Sequence, residues 1–380
     1  MQLRLSIVTC TLLLATASLA EDYISIQYMG YDEESGQTTV HSPHIEFNKE
    51  FGADNVLHLS IGYDSLSGAS PTMYDSFSGA SATLPAGTVF ASDIRYGYIP
   101  YEDERTAYSA AWTTRFESRD ELTLGVDYSS ENDYTSRGIS AEYLHYLDES
   151  KNQSISLGVS YQKNDIDIYC FMGNSECDTT SGASPKNITK TLDATSIEIG
   201  FTQIIDQTSL IKTSLFYANE DGYLSNPYMR IVRDGNKITQ ESKPNKREAY
   251  GLTLEYSKAL SDALSMTLYC RYYDDDWDVT SHTLGVSLFY EVNEKLTVGF
   301  ATRYYTQSAA YFYSPQKDYF TNEIYASSDR RMGEYDAYDY KLSADYKLTE
   351  STTLQGSVGY YEQPNHFDAT YYSVGFKYAF

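Results

Sequence analysis

Apolar and polar residues alternate one for one through most of this chain. Leu264, Met266, Leu268, Cys270 and Tyr272 are interleaved with Ser265, Thr267, Tyr269, Arg271 and Tyr273. Leu284, Val286, Leu288 and Tyr290 are interleaved with Thr283, Gly285, Ser287 and Phe289. Leu122, Leu124, Val126 and Tyr128 are interleaved with Thr123, Gly125, Asp127 and Ser129. The segments Ile155–Tyr161, Leu354–Tyr360 and Tyr372–Phe380 read the same way. Successive side chains on a strand point to opposite faces. Each segment therefore predicts a strand with one apolar face and one small, polar or charged face. A soluble sandwich gives the same alternation, but not long strands repeated at even spacing with tyrosine at their ends. Aromatic belts at the two interfaces of a membrane account for those tyrosines.

The connections alternate in length. Short ones fall near Phe51–Asn55, Ser118–Asp120, Asp148–Asn152, Ile205–Gln207, Leu260–Ala263, Val292–Lys295 and Thr349–Ser351. Long ones are expected at 65–105, 164–190, 219–246 and 307–333, with brief tips near Asp32–Gly36, Ser130–Thr135, Asp274–Asp278 and Glu362–His366. The segments between them number about sixteen, an even count as a closed bacterial barrel needs. The pattern thus predicts an all-β fold, a single transmembrane antiparallel up-and-down β-barrel. Long loops are expected outside and short turns in the periplasm. A barrel of that size encloses an aqueous lumen unless loops plug it.

The two ends of the sequence point the same way. Met1 to Arg4 is short and basic, Leu5 to Ala15 is apolar, and Ser18-Leu19-Ala20 offers small residues for a signal peptidase. Residues 1–20 are expected to be a cleaved signal peptide, leaving 21–380 as the barrel. Nothing after it approaches the roughly eighteen apolar residues of a spanning helix. Phe380, with Tyr378, Phe376 and Val374 on one face, has the character of a terminal strand read by the barrel-assembly machinery. The expected location is the bacterial outer membrane, and the expected partners are its lipid and lipopolysaccharide. The chain carries 53 acids against 28 bases, a formal net charge of −25. No basic patch for nucleic acid is present.

Several segments carry a family resemblance. They are Asp221-Gly-Tyr-Leu-Ser-Asn-Pro-Tyr228, Tyr63-Asp-Ser-Leu-Ser-Gly-Ala-Ser-Pro71, Ser129-Ser-Glu-Asn-Asp-Tyr134, Asp275-Asp-Trp277 with Ser281-His-Thr283, and Arg303-Tyr-Tyr-Thr-Gln-Ser-Ala-Ala-Tyr-Phe-Tyr313. The chain resembles the outer-membrane barrels of domain of unknown function 3570. That family has no assigned activity. Its members often neighbour thioredoxin-like proteins and flavin transferases, so the resemblance implies a link to envelope redox or metal handling and assigns no residue a role.

Candidate chemistry is sparse. Cys170 and Cys177 share one long loop, and in an oxidising compartment a disulfide is expected there. Cys270 falls on the apolar face. By strand parity His44 and His58 face the lumen with Glu46 and Asp64, and imidazole with carboxylate is a ligand set for zinc or copper. The alternative is a plain hydrated wall. Asp274, Asp275, Asp276 and Asp278 form an acidic tip that could take a divalent cation. No resident cofactor is expected.

Ser281 and His282 are adjacent on one strand and so point to opposite faces, which removes them as a catalytic pair. No enzyme is expected. The pore-lining set predicted by parity comprises Asp127, Glu142, Glu198, Lys212, Glu255, Arg271, Arg303, Lys341, Asp345, Lys347 and Lys377, with Arg115. Acids dominate the earlier strands and bases the later ones. Two functions fit this pattern: a porin-like conduit for small hydrophilic solutes or metal ions, and a non-conducting interaction barrel whose loops dock a partner.

Overall fold

In the computed structural model the alternating segments all become strands. It describes residues 22–33, 38–75, 94–168, 188–227, 229–234, 237–315, 320–364 and 367–380. Residues 1–20, where a signal peptide is expected, the Cys170 and Cys177 pair and His366 lie outside them. In chain order the strands are β1 (Tyr23–Glu33), β2 (Thr38–Phe51), β3 (Asn55–Asp75), β4 (Ile94–Arg115), β5 (Glu121–Ser130), β6 (Tyr134–Tyr146), β7 (Gln153–Ile168), β8 (Ile188–Asp206), β9 (Ser209–Gly222), β10 (Arg230–Arg233), β11 (Lys237–Gln240), β12 (Lys246–Ala259), β13 (Leu264–Asp275), β14 (Thr280–Asn293), β15 (Leu296–Gln307), β16 (Tyr335–Thr349), β17 (Thr352–Gln363) and β18 (Phe367–Ala379).

Sixteen of these strands form a closed antiparallel barrel, each beside its neighbours in sequence. The exceptions are β10 and β11, which pair with each other inside the β9–β12 connection. The ring closes between β1 and β18, from Tyr23 opposite Ala379 to Glu33 opposite Ala369. Closure leaves the barrel without an open edge strand, as a structure in hydrocarbon requires.

The apolar face points outward. Ile61, Leu124, Val126, Ile139, Leu157, Ile199, Leu215, Leu284, Leu342 and Val374 are all exposed there. The tyrosines bounding this band keep a polar handle. Tyr161 donates to Asp193 at 2.7 Å, Tyr250 to Asp274 at 2.5 Å and Tyr304 to Asp336 at 2.8 Å. Cys270 is a free thiol on the outward face, as parity predicts.

Seven short turns gather at one end, together with the first residues of β1 and the last of β18. The long connections gather at the other. One expectation changes here. The stretch 65–105, with Gly68, Pro71 and many serines, reads from sequence as a long loop. The β3–β4 ladder instead runs unbroken from Asn55 opposite Thr114 to Asp75 opposite Ile94. Two antiparallel strands satisfy each other's backbone whatever their side chains.

The turn before β5 shows how the short-turn end is held. The Asp120 carboxylate accepts from Tyr143 Oη at 2.9 Å and from the Tyr146 amide at 3.2 Å, and lies 3.0 Å from His145 Nδ1. These contacts, the His145 bond foremost, push its pKa down to about 2 from 3.8. A depressed carboxylate contributes stability that is complete above the unfolded pKa and lost as pH falls through the folded one. This turn should therefore loosen between about pH 4 and pH 2. Asp120→Asn should abolish that step, as followed by amide exchange at residues 116–120; an unchanged acid profile would contradict the assignment.

Candidate functional site

The inner wall is built for water. Small hydroxyls face one another across strands: Ser60 and Ser109 at 2.8 Å, Thr113 and Thr123 at 2.8 Å, Ser160 and Ser196 at 2.7 Å, Ser257 and Thr267 at 3.0 Å, and Ser357 and Ser373 at 2.7 Å. They hydrogen-bond to one another and are small. The parity-predicted charges share this inward register. Lys212 pairs with Glu255 at 3.8 Å, and Arg115 with Glu121 at 3.1 Å and Glu50 at 3.7 Å. Asp345 accepts from Gln355 at 3.4 Å. Arg271 lies over the Phe216 ring at 4.9 Å and Lys377 over Tyr23 at 4.3 Å. Asp127 sits against Gly138 in the register of β5 and β6. Glu142 on β6 and Glu198 on β8 occupy the earlier wall, and Arg303, Lys341 and Lys347 on β15 and β16 the later one.

The four expected metal ligands are not brought into one cluster. His44 Nε2 and Glu46 Oε1 are 3.2 Å apart. His58 stands opposite Asn48, diagonal to Glu46 on the same face. Asp64 turns instead to Ser42 Oγ and to Arg105, whose guanidinium is 2.7 Å away. Arg105 was hidden in the stretch read as loop; once β4 is extended, it stands opposite Asp64 in register. The acidic tip is also engaged within the protein. Asp274 accepts from Tyr250 and Thr280, Asp275 from Arg247 and the amides of Trp277 and Val279, and Asp276 from the Glu248 amide. Among the described residues the carboxylates that converge are Asp103, Glu131 and Asp133, with oxygens within 4.8 Å of one another. No sequence spacing announced them, because Asp103 comes from β4 and the other two from the β5–β6 turn.

The inward register also holds tyrosines, beyond those expected in the interface belts. Tyr269, Tyr273, Tyr305, Tyr335, Tyr361 and Tyr371 lie at odd positions, in step with Arg271, Arg303 and Lys341. That parity was the available signal. Tyr305 packs on Tyr335 at 5.6 Å between ring centroids.

A cap occupies the long-loop end. The β9–β12 and β15–β16 connections fold together there, joined by Ser242 bridging to Ala326 and by the Phe320 amide donating to Val232 O at 3.0 Å. Ile231, Phe320 and Ala326 form one buried cluster. A larger one joins Leu224, Ala310 and Phe312 to the tops of the wall at Ile166, Ile168, Leu192, Trp277 and Val279. Among the described residues these buried apolar clusters therefore lie at the long-loop end of the barrel. The β10 strand reaches across to β3, far around the ring.

An ionic set fixes the cap internally. Lys243 lies 3.1 Å from Glu241 and 3.6 Å from Asp329, and Arg331 forks onto Asp329 at 2.6 and 3.0 Å. Burial pushes the Asp329 carboxyl up, but Arg331 and Lys243 outweigh it and hold it below the usual range. At the wall, Gln307 donates to the carbonyls of Arg331 at 2.9 Å and Gly333 at 2.7 Å. Arg247 forks onto Asp275 at 2.5 and 2.8 Å and lies over Trp277 at 4.7 Å.

The family model for proteins of unknown function DUF3570 matches residues 4–375, nearly the whole chain. The chain belongs to this family. No curated protein matches it in sequence. Among solved structures, this DUF3570 barrel is similar to CdiB from Acinetobacter baumannii, with 9% identity and a TM-score of 0.53 over 95% of this chain and 60% of that one. It is also similar to a bacterial polysaccharide outer-membrane secretin, with 7% identity and a TM-score of 0.52 over 95% of this chain and 99% of the other. A ferric enterobactin receptor, PfeA, matches at 9% identity and a TM-score of 0.47 over 90% of this chain and 54% of the receptor. The DUF3570 chain thus spans about three fifths of CdiB and about half of the receptor. At these identities the first two likenesses show a shared barrel fold.

Proposed function

We propose that this protein is an outer-membrane conduit for small hydrophilic solutes or metal ions, held closed at its outer end by the cap. The observation that carries this reading is the inner wall. Hydroxyls, glycines and ionised side chains share its inward register, and such a wall is stable where water remains. In this reading the long-loop end is extracellular, the apolar band and tyrosines contact membrane lipid and lipopolysaccharide, and β18 presents the assembly signal. No catalytic role or resident cofactor enters it.

The second reading is a non-conducting barrel whose surface docks a partner. The cap favours it, because a module with its own core and ion pairs is a defined surface. Conductance of the purified protein in planar bilayers, with and without residues 224–244 and 309–333, separates the two. A conduit gains a stable open level when the cap is removed; an interaction barrel stays silent. The orientation is checked on intact cells. A tag at Asp234, the exposed turn of the β10–β11 hairpin, should be reachable, and one at Asn152 should not. The reverse result would invert the topology.

A further inference from the structure

The lumen cations fall into two groups. Arg105, Arg115 and Lys212 each have a carboxylate partner, and Arg271 and Lys377 each lie over an aromatic ring. Arg303 and Lys341 have no ion-pair partner among the described residues, and both are exposed to the lumen. Lys347 has none either, but it stands at the bulge beside the short-turn mouth.

Arg303 has a carboxylate directly opposite it, Asp339. That carboxylate is already engaged, because Tyr371 Oη lies 3.0 and 2.9 Å from its two oxygens. Tyr371 reaches it by crossing Gly359, where an added Cβ would collide with the ring. Lys341 is two residues beyond Asp339 on the same face of β16, opposite Ala301. The two cations are therefore diagonal neighbours on adjacent strands, within reach of one another for long side chains.

The surroundings make a recess of this pair. Its floor is Gly285 and Ala301, which stand opposite Arg303 and Lys341 in register, and the Tyr371 ring over Gly359 bounds it on one side. At Gly285 an added Cβ would meet the Tyr269 side chain, at 3.5 Å, so that ring lies beside the open floor. Tyr361 stands opposite Asp339 on the far side.

We propose that Arg303 and Lys341, walled by Tyr269, Tyr361 and Tyr371, form a subsite for a small organic anion that carries a carboxylate on a ring. A guanidinium fork matches a carboxylate in two parallel bonds, and an ammonium beside it adds a point charge. Tyrosine faces offer flat apolar area to a sugar or aromatic ring. An inorganic anion would use the cations and leave the rings idle. This subsite names the solute class of the proposed conduit and rests on that reading.

Calorimetric titration of the folded barrel in detergent tests it without needing current. The probes are glucuronate, benzoate, acetate, phosphate and glucose. Glucuronate or benzoate should bind more tightly than acetate or phosphate, and glucose should not bind. Whichever ring carboxylate is tighter tells a sugar site from an aromatic one. Arg303→Gln should weaken binding about tenfold, the loss of one charge-assisted fork. Arg303→Lys should restore part of it, and Lys347→Gln should change nothing. Equal binding of acetate and benzoate, or unchanged affinity in the Arg303→Gln, Lys341→Gln double variant, would overturn the subsite. Heat-modifiable migration on a gel reports that each variant is folded. Binding in a barrel that never conducts would retain the subsite and remove the conduit.

Discussion

Asp329→Asn should release the cap. The substitution leaves Lys243 with Glu241 alone and strips Arg331 of its forked carboxylate, while the shape of the side chain is kept. Removing one member of a buried ion set costs about 3–5 kcal/mol, because the remaining charge stays out of water. The Arg331 side chain keeps 33% exposure and recovers some hydration, so the lower figure applies. The barrel ladder touches none of these atoms and should persist. Amide exchange should accelerate across residues 224–244 and 320–333, and bilayer recordings should show openings that the parent protein lacks. A variant with unchanged exchange and conductance would mean that the apolar clusters, not the ions, hold the cap.

Leu268→Arg should prevent normal insertion. Leu268 is 39% exposed on the outward face of β13, midway between Leu264 and Tyr272. A cation near the bilayer midplane of a barrel costs about 2–4 kcal/mol. Thr267→Arg, one residue away, places the same charge in the lumen and gives up a hydroxyl contact to Ser257 at 3.0 Å, about 1 kcal/mol. Urea titration in lipid vesicles should separate the two variants clearly. Equal destabilisation would show that β13 is read in the wrong phase.

Parity made most of the barrel legible. A period of two is imposed by the strand itself, so Leu264 to Tyr272 announced their face without any knowledge of neighbours. The same rule, applied to Tyr305, Tyr361 and Tyr371, places them inside beside Arg303, whereas residue type alone points to the membrane belt. The extension of β3 and β4 was not legible, because its ladder depends on pairing rather than on side-chain pattern. The cap was beyond reach for a related reason. Glu241, Lys243 and Asp329 look like ordinary solvated loop charges, and their partnership is set by two connections that lie far apart in sequence. The expected His44, Glu46, His58 and Asp64 set failed to converge because Arg105, across the ladder, holds Asp64.

The distance along the chain between the two halves of the cap has a consequence for assembly. Ser327 meets Glu241 across 86 residues, and the intervening segment holds β12 to β15. Neither half meets its partner until those strands stand in the ring, because closing so long an unstructured connection costs chain entropy. Every newly inserted copy therefore passes through an uncapped stage. In a conduit, that stage is a transient leak. The permeability a cell incurs from this protein then scales with the rate at which copies are made, not with the number that have accumulated.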